Sequence, residues 1–458
     1  MRYSLCACHF WQALQGKSLI EEDRMKRLKI CFGMLVLLLA LSSVGAQDVT
    51  TVSMWFGESE YAQCITEVVN GFNDVNPALQ IEIIPQADTW NTTRTAVAGG
   101  GGPDVVRSPG PSFVYEMAQQ GLILPLDSFA DEMGWRDTFV GWALDLGLVD
   151  GQLYSLADEL ETLVMYYNKT LFEANGWTPP DTMDELIALA EEMEAAGIVP
   201  FSHGNADWRP TNEWFVGEFM TQIAGPHNVY KALTGQIPWT DESMVEAMET
   251  LDMMQQRGWF GGGLDLYFTN TFDTNLSMLG NGEAAMNIEG TWRFNGIPDY
   301  FGEAGGNDND WDWAPVPSKT GDDLFTIGMG NTSSINANTP HPQETATFLT
   351  WFFSAETQGA MLSNCGKGPA PIHLPEDAMV GLDSRVSRAY AALSEASADD
   401  RYGYTTWTFW PPKSDVYIYE EVERVWTGEI TVMDYLEGLN ELFAEELAAG
   451  DIPPIPSR

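Results

Sequence analysis

The chain has 458 residues, which is long enough for two domains that each bury a core. It carries 66 acidic and 22 basic residues, and the formal charge of -44 disfavours nucleic acid, anionic lipid and anionic substrates as partners. The chain contains seventeen tryptophans but only five histidines. This balance is unusual for a catalyst and favours a protein that presents flat apolar faces.

The N-terminal residues predict export. Basic residues after Met25 are followed by an apolar run from Ile30 to Leu41 and by small residues that end at Ala46, which is the layout of a signal peptide over residues 25–46. The apolar run is shorter than the about 20 residues that a membrane-spanning helix needs. Residues 1–24 place three acidic residues ahead of this signal, so we interpret them as a misassigned upstream extension. A genuine extension is the alternative.

We expect the mature chain to be secreted across the cytoplasmic membrane, to the periplasm or the cell surface, without a lipid anchor. Cys31 lies near the start of the apolar run and not at the cleavage point, where a lipidated cysteine would stand. Cys64 and Cys365 are the cysteines that follow the leader. An oxidising compartment permits a disulfide between them, and two buried thiols are the alternative.

The first part of the mature chain alternates strands with helices. The hydrophobic patterns predict strands at 49–56, 79–84 and 104–106 and helices at 61–73 and 112–120. This alternation indicates βαβ units and a mainly parallel sheet, so the fold class is α/β.

The remainder is richer in helix. A buried strand is predicted at 163–168, and the Gly/Asn/Asp-rich stretch 294–313 reads as an exposed loop. Further helices are predicted at 185–196, 244–256, 348–362, 417–426 and 434–447.

An acidic DxDxD triplet raises the question of a metal site. A calcium loop built on Asp308, Asp310 and Asp312 would need glycine next and glutamate at its twelfth position, where Trp313 and Lys319 stand. We therefore predict a solvated acidic loop, no metal site and no cofactor.

Ten different short motifs follow one another along residues 49–375. In chain order they are MWFGE (54–58), GPDV (102–105), AQQGLILPLD (118–127), DGQLYS (150–155), YYNK (166–169), PPDT (179–182), GEAAM (282–286), GTW (290–292), APVP (314–317) and SAETQ (354–358). In this order they resemble the family 1 extracellular solute-binding proteins of ABC importers, the group that includes maltose-binding proteins.

The resemblance implies a two-lobed clamp of the periplasmic-binding-protein type, close to type II, with interleaved chain crossings and the ligand between the lobes. The first lobe would comprise residues 48–158 and 326–370, and the second 159–325 and 371–458. Leu156 to Thr162 would form the first crossing. The resemblance also implies a permease as partner, a monomer and no catalysis.

Sugar recognition needs aromatic rings for the C–H faces of the ligand and polar groups for its hydroxyls. Tryptophans beside polar residues near strand ends and loops are therefore candidate ligand-binding residues. The candidates are Trp55, Glu58, Trp90, Arg107, Trp208, Asn212, Trp292, Arg293, Trp407 and Trp410. The scarcity of basic residues near them predicts a neutral sugar, and the number of tryptophans predicts a di- or oligosaccharide.

Other functions stay open from the residues alone. A secreted glycoside-cleaving enzyme would need two opposed carboxylates, and no motif singles out such a pair. A polyol or glycerol-phosphate-type ligand is a second alternative. A third is docking of the loaded clamp on a receptor instead of a permease.

Overall fold

The computed structural model describes residues 49–57, 59–86, 89–374, 381–456 and 458. The upstream extension predicted at 1–24 and the signal peptide predicted at 25–46 lie outside these residues. Residues Thr50–Arg458 fold as one compact unit. Within the described residues, none of the helices has the length and apolar character needed to cross a membrane.

The strands are β1 (Thr50–Phe56), β2 (Leu79–Pro85), β3 (Val105–Ser108), β4 (Leu148–Val149), β5 (Gln152–Leu153), β6 (Leu156–Glu161), β7 (Leu163–Asn168), β8 (Val199–Phe201), β9 (Ala284–Gly290), β10 (Trp311–Ala314), β11 (Phe325–Ile335) and β12 (Tyr402–Tyr404). The described helices are α1 (Ser59–Val75), α2 (Thr89–Ala98), α3 (Pro111–Gln119), α4 (Asp127–Met133), α5 (Trp135–Thr138), α6 (Gly141–Asp145), α7 (Lys169–Asn175), α8 (Met183–Ala195), α9 (Thr211–Phe219), α10 (Pro226–Leu233), α11 (Glu242–Gln256), α12 (Leu264–Tyr267), α13 (Phe272–Asn281), α14 (Gly302–Gly305), α15 (Pro342–Phe352), α16 (Ala355–Cys365), α17 (Ser384–Ala398), α18 (Thr406–Phe409), α19 (Pro412–Trp426) and α20 (Val432–Ala449).

The first sheet has the order β12-β11-β3-β1-β2, and β6 pairs with β11 beside this path. β1 runs parallel to β2 and β3, as the βαβ pattern predicts, and β11 runs antiparallel to β3. Val52, Met54 and Phe56 alternate along β1 and are buried, because successive side chains of a strand point to opposite faces. The predicted α/β class is confirmed.

The second sheet has the order β10-β7-β9-β8. β7 follows β6 after the single residue Thr162, so the chain passes there from the first sheet to the second. β6 and β11 lie antiparallel, with Gly328 opposite Glu161 and Ser333 opposite Leu156. These two strands therefore form a ribbon at the junction of the sheets.

The described residues form two large apolar cores and a smaller third one around Val106 of β3. One core joins side chains from Val52 to Leu156 with side chains from Ile335 to Ile372. The other joins side chains from Ala143 to Met329 with side chains from Ala389 to Phe443. The ribbon of β6 and β11 consequently lies at the boundary between two separately packed bodies.

The start of α8 is closed by a capping box. The backbone N–H of Glu185 donates to Thr182 Oγ1 over 3.2 Å, and the Thr182 N–H donates to Glu185 Oε2 over 3.1 Å. This reciprocal pair satisfies two donors that the first turn of a helix leaves without partners.

Two predicted elements were wrong. The helix predicted at 348–362 is two helices, because Ser354 caps a new helix by accepting a hydrogen bond from the Thr357 N–H. The stretch 294–313 is not an open loop, since Trp311 and Trp313 at its end belong to β10 and are buried. Polar composition concealed a short strand whose alternate tryptophans enter the core.

Cys64 on α1 and Cys365 at the end of α16 form a disulfide, with Cα atoms 5.6 Å apart. The bond joins positions separated by 301 residues. It therefore ties the first helix of the described chain to the segment that precedes the loop around Lys367.

Candidate ligand-binding cleft

A cleft of about 260 Å³ lies where the ribbon of β6 and β11 meets loops and helices of both bodies. Five of its lining residues are tryptophans and three are glutamates. The lining residues are Trp90, Pro109, Glu159, Glu161, Trp208, Glu213, Trp214, Trp292, Gly330, Asn331 and Trp407.

The ribbon supplies the carboxylates at the base of the cleft. Glu159 and Glu161 lie on one face of β6, while Leu160 between them lines a separate apolar cavity of about 360 Å³. Gly330 on β11 pairs with Glu159, and a Cβ atom at Gly330 would overlap the Glu161 carboxylate. Glycine at this position therefore makes room for the second carboxylate.

Three indole rings pack against one another on the side of the second body. The Trp292 ring lies 5.1 Å from the Trp214 ring and 6.1 Å from the Trp407 ring, measured between centroids. Trp292 is half-buried and follows β9 in a short 3-10 turn, so its unburied part faces the cleft. Trp208 stands nearby with 41% of its surface exposed. This wall offers apolar faces in several orientations.

Trp90 supplies the aromatic side chain on the first body. The Arg107 guanidinium carbon lies 5.7 Å from the Trp90 ring centroid and 4.1 Å from that of Phe56, within the range of cation–π attraction. Arg107 is 2% exposed and does not line the cleft. Its guanidinium group therefore contacts Trp90 on the side away from the cleft.

A buried group of ion pairs holds the base of the cleft. Arg107 Nε donates to Asp158 Oδ2 over 3.0 Å, and Lys367 Nζ lies 3.4 Å from Asp158 Oδ1 and 3.5 Å from Glu159 Oε2. Burial alone would raise the pKa of Asp158, but the charges of Lys367 and Arg107 outweigh it and hold that pKa below its ordinary value. Glu159 belongs both to this group and to the cleft, so an ion pair with Lys367 holds this lining residue in place.

Glu213 presents a third carboxyl group to the cleft from α9. Its Oε2 accepts a hydrogen bond of 2.8 Å from Thr406 Oγ1, and its carboxyl group lies within hydrogen-bonding reach of Asp415 on α19. Burial and the neighbouring Asp415 raise the pKa of Glu213 well above its ordinary value. Burial also raises the pKa of Asp415, to about 6. The two groups therefore favour sharing a proton over ionising together.

Comparison with known proteins identifies the family. The model for bacterial extracellular solute-binding proteins matches residues 67–380, which is more than half of the chain. The chain belongs to this family. Its members are extracellular binding proteins, and the predicted family is thereby confirmed.

Two curated relatives show how far the similarity extends. The osmoprotective compounds-binding protein GgtB of Synechocystis is 26% identical over 243 residues, which are 51% of this chain and 56% of the relative. The multiple sugar-binding protein of Streptococcus mutans is 24% identical over 327 residues, which are 69% of this chain and 73% of the relative. The chain thus spans between about half and three quarters of these relatives.

A solved structure, the chitin oligosaccharide binding protein, matches with a TM-score of 0.71. It is 21% identical, and the match covers 88% of this chain and all of that one. At this identity the likeness concerns the fold, which is the predicted two-lobed α/β clamp.

The structure brings four of the candidate residues of this solute-binding protein together. Trp90, Trp208, Trp292 and Trp407 all line the cleft, although they are spread over more than 300 positions of the chain. Their role in ligand binding remains a prediction.

The other candidates lie elsewhere or outside the described residues. Asn212 is buried and donates to the Tyr419 carbonyl oxygen and to Glu423, and Arg293 is ion-paired with Glu289. Trp410 is fully buried against Trp239, Arg107 is buried behind Trp90, and Trp55 lies half-buried on β1. None of these five is among the residues that line the cleft. Glu58 lies outside the described residues.

Sequence reasoning missed the carboxylates and one tryptophan. Glu159 and Glu161 stand at alternate positions of the predicted crossing, which is the signal that could have placed both on one face of a strand. The helical hydrophobic pattern around Trp214 predicts a core position, and Trp214 is 8% exposed. It both packs in the core of the second body and lines the cleft.

Two of the three aspartates of the acidic triplet are ion-paired with basic side chains. Asp310 is ion-paired with Lys169 and Arg385, and Asp312 with Arg388. Within the described ranges, no group of three or more His, Cys, Asp or Glu residues has the arrangement of a metal site.

Replacing Glu218 with glutamine should change how stability depends on pH. Glu218 is buried on α9, and burial raises its pKa from 4.5 to about 7. The folded state therefore binds this proton more tightly than the unfolded state, so its contribution is full below pH 4.5 and is lost as the pH rises through about 7. Glutamine needs no proton, so the stability of Glu218→Gln relative to the parent should increase by about 3 kcal/mol across that window.

Urea unfolding at about pH 4.5 and about pH 8 measures this difference. Glutamine can still accept the 2.7 Å hydrogen bond from Gln222 and pair with Thr326 Oγ1, so the packing is retained. Glu249→Gln, an exposed substitution on α11, is the matched control. Equal pH dependence in Glu218→Gln and the parent would contradict the prediction.

Proposed function

We propose that this solute-binding protein captures a sugar of two or more rings in the cleft, outside the cytoplasmic membrane, and delivers it to the permease of an ABC importer. One observation carries the proposal: five tryptophans and three glutamates from both bodies line the same cleft. Indole faces suit the C–H faces of pyranose rings, and carboxylates accept hydrogen bonds from hydroxyl groups. Five indoles provide more surface than a single ring can cover.

The relatives support the same class of ligand. One is named as a multiple sugar-binding protein, and a protein of the same fold is named for binding chitin oligosaccharides. Catalysis is not part of the proposal, because the family to which the chain belongs is one of binding proteins.

Closure of the clamp would follow ligand capture. We assign the first lobe to 48–158 and 326–370 and the second to 159–325 and 371–458. The two large apolar cores follow this division in part, since Ala157, Ile327 and Met329 pack with the core of the second lobe. Trp90 comes from the first lobe and Trp292 from the second. A ligand that contacts both favours the closed arrangement, and the closed clamp then presents a combined surface to the permease. We infer that the protein works as a monomer without a lipid anchor.

Calorimetric titration with neutral mono-, di- and trisaccharides tests the proposal. We expect saturable binding of at least one di- or trisaccharide, tighter than that of its component monosaccharides. Small-angle scattering with and without that sugar should show compaction when the ligand is saturating. If no sugar of two or more rings binds, or if new reducing ends form during incubation, the proposed function is wrong.

A further inference from the structure

The charges that line the cleft are of one sign. The lining residues that the structure describes include three glutamates and no lysine or arginine. Of the lining glutamates, Glu159 is ion-paired with the buried Lys367. Two guanidinium groups are directed to carboxylates outside the lining: Arg107 pairs with Asp158, and Arg209 with Glu420 and Glu423. Arg293 likewise pairs with Glu289. The cleft therefore combines three carboxyl groups, one of them paired with Lys367, with five indole faces, which attract cations through their quadrupoles.

Glu213 is the lining carboxyl group that a nearby positive charge would stabilise most, because a second carboxyl group lies next to it. It is 5% exposed, and the groups that face it are Thr406, Asp415 and the nearby Tyr419. Behind Asp415, the carboxylate of Glu446 accepts hydrogen bonds from Ser414. Two adjacent carboxyl groups with a third behind them are stable with one shared proton or with one added cation.

We infer that the cleft prefers sugars that carry a protonated amine over neutral sugars of the same size, with the ammonium group beside Glu213. This inference rests on the proposed function and names a subclass of its ligands. The ammonium group would replace the proton shared by Glu213 and Asp415, so binding releases that proton to solvent while the positive charge at the pair is conserved. Indole faces and a charge-assisted hydrogen bond act on the same ammonium group.

Three disaccharides with equal ring number test the preference: one of glucosamine units, one of N-acetylglucosamine units and one of glucose units. Titrations are run below the pKa of the amine, in two buffers with different heats of ionisation. We expect the glucosamine disaccharide to bind about tenfold more tightly than the glucose disaccharide. Its apparent enthalpy should depend on the buffer in the sense of proton release, and that of the glucose disaccharide should not.

Glu213→Gln should remove most of the preference, so that the two dissociation constants differ by less than about threefold. Glu249→Gln removes the same charge from an exposed site on α11 and should keep the preference. Loss of the preference in both variants would assign it to net charge and overturn the inference. Equal or tighter binding of the glucose disaccharide by the parent protein would overturn it while the proposed function stands. Failure of all three disaccharides and of the neutral sugars would refute the proposed function itself.

Discussion

Replacing Asp158 with alanine is expected to lower the free energy of unfolding by about 3 to 5 kcal/mol. The Asp158 side chain is fully buried and is ion-paired with Arg107 and with Lys367, whose side chains are 1% and 0% exposed. The substitution removes the carboxylate that the two cations share, which leaves Arg107 without its buried partner and Lys367 with Glu159 alone. Removing one partner of a buried pair is costly because the remaining charge keeps its desolvation penalty without the compensating attraction.

Denaturant unfolding at neutral pH measures this loss. Asp158→Asn keeps the shape and removes only the charge, so a cost close to that of alanine would assign the effect to electrostatics. Asp131, ion-paired with Arg136 at the surface with 68% of its side chain exposed, is the matched control. Asp131→Ala should cost about 1 kcal/mol or less, because water screens an exposed pair. Similar losses in Asp158→Ala and Asp131→Ala would show that the buried group does not stabilise the base of the cleft.

Replacing Trp292 with alanine is expected to weaken sugar binding about ten- to hundredfold. Trp292 lies between Trp214 and Trp407, with part of its indole facing the cleft. The substitution removes the apolar face that a sugar ring would cover and leaves its two neighbours without their packing partner. Since the indole is already half-buried and partly solvated, we expect the stability of the ligand-free protein to fall much less than binding does.

Calorimetric titration with the tightest neutral sugar measures the change in affinity, and thermal unfolding of the ligand-free variant measures stability. Trp177→Ala is the control, because Trp177 is also half-buried but packs against Phe172 and does not line the cleft. It should leave the dissociation constant unchanged. A large loss of stability in Trp292→Ala, with affinity retained in the folded fraction, would make Trp292 a core residue.

Stability, measured in Asp158→Ala, and sugar affinity, measured in Trp292→Ala, both depend on the ribbon of β6 and β11 and on the cleft that it lines. Asp158 and Glu159 are neighbours on β6, but Asp158 is directed to Arg107 and Glu159 to the cleft. A ligand that contacts Glu159 therefore touches the strand that carries the buried ion pairs. This placement couples the cleft to the ribbon about which the two lobes would close.

Signals in the sequence determined the fold class, the family and the positions of several long helices. The strand β7 has its predicted bounds, and the helix predicted at 185–196 begins at Met183 with a capping box formed by Thr182 and Glu185. Such features depend on neighbouring residues alone, because hydrophobic period and capping are local. Tryptophans beside polar groups likewise predicted four of the side chains that line the cleft.

The tertiary structure alone decided which polar groups join those tryptophans. Arg107 is as polar as Glu159, yet the pairing of β3, β6 and β11 buries Arg107 behind Trp90 and turns Glu159 into the cleft. A strand displays alternate side chains on opposite faces, so the register with a partner more than 150 residues away determines which face meets the ligand. Composition and residue spacing do not determine that register. The carboxylates of the cleft could therefore be identified only from the folded protein.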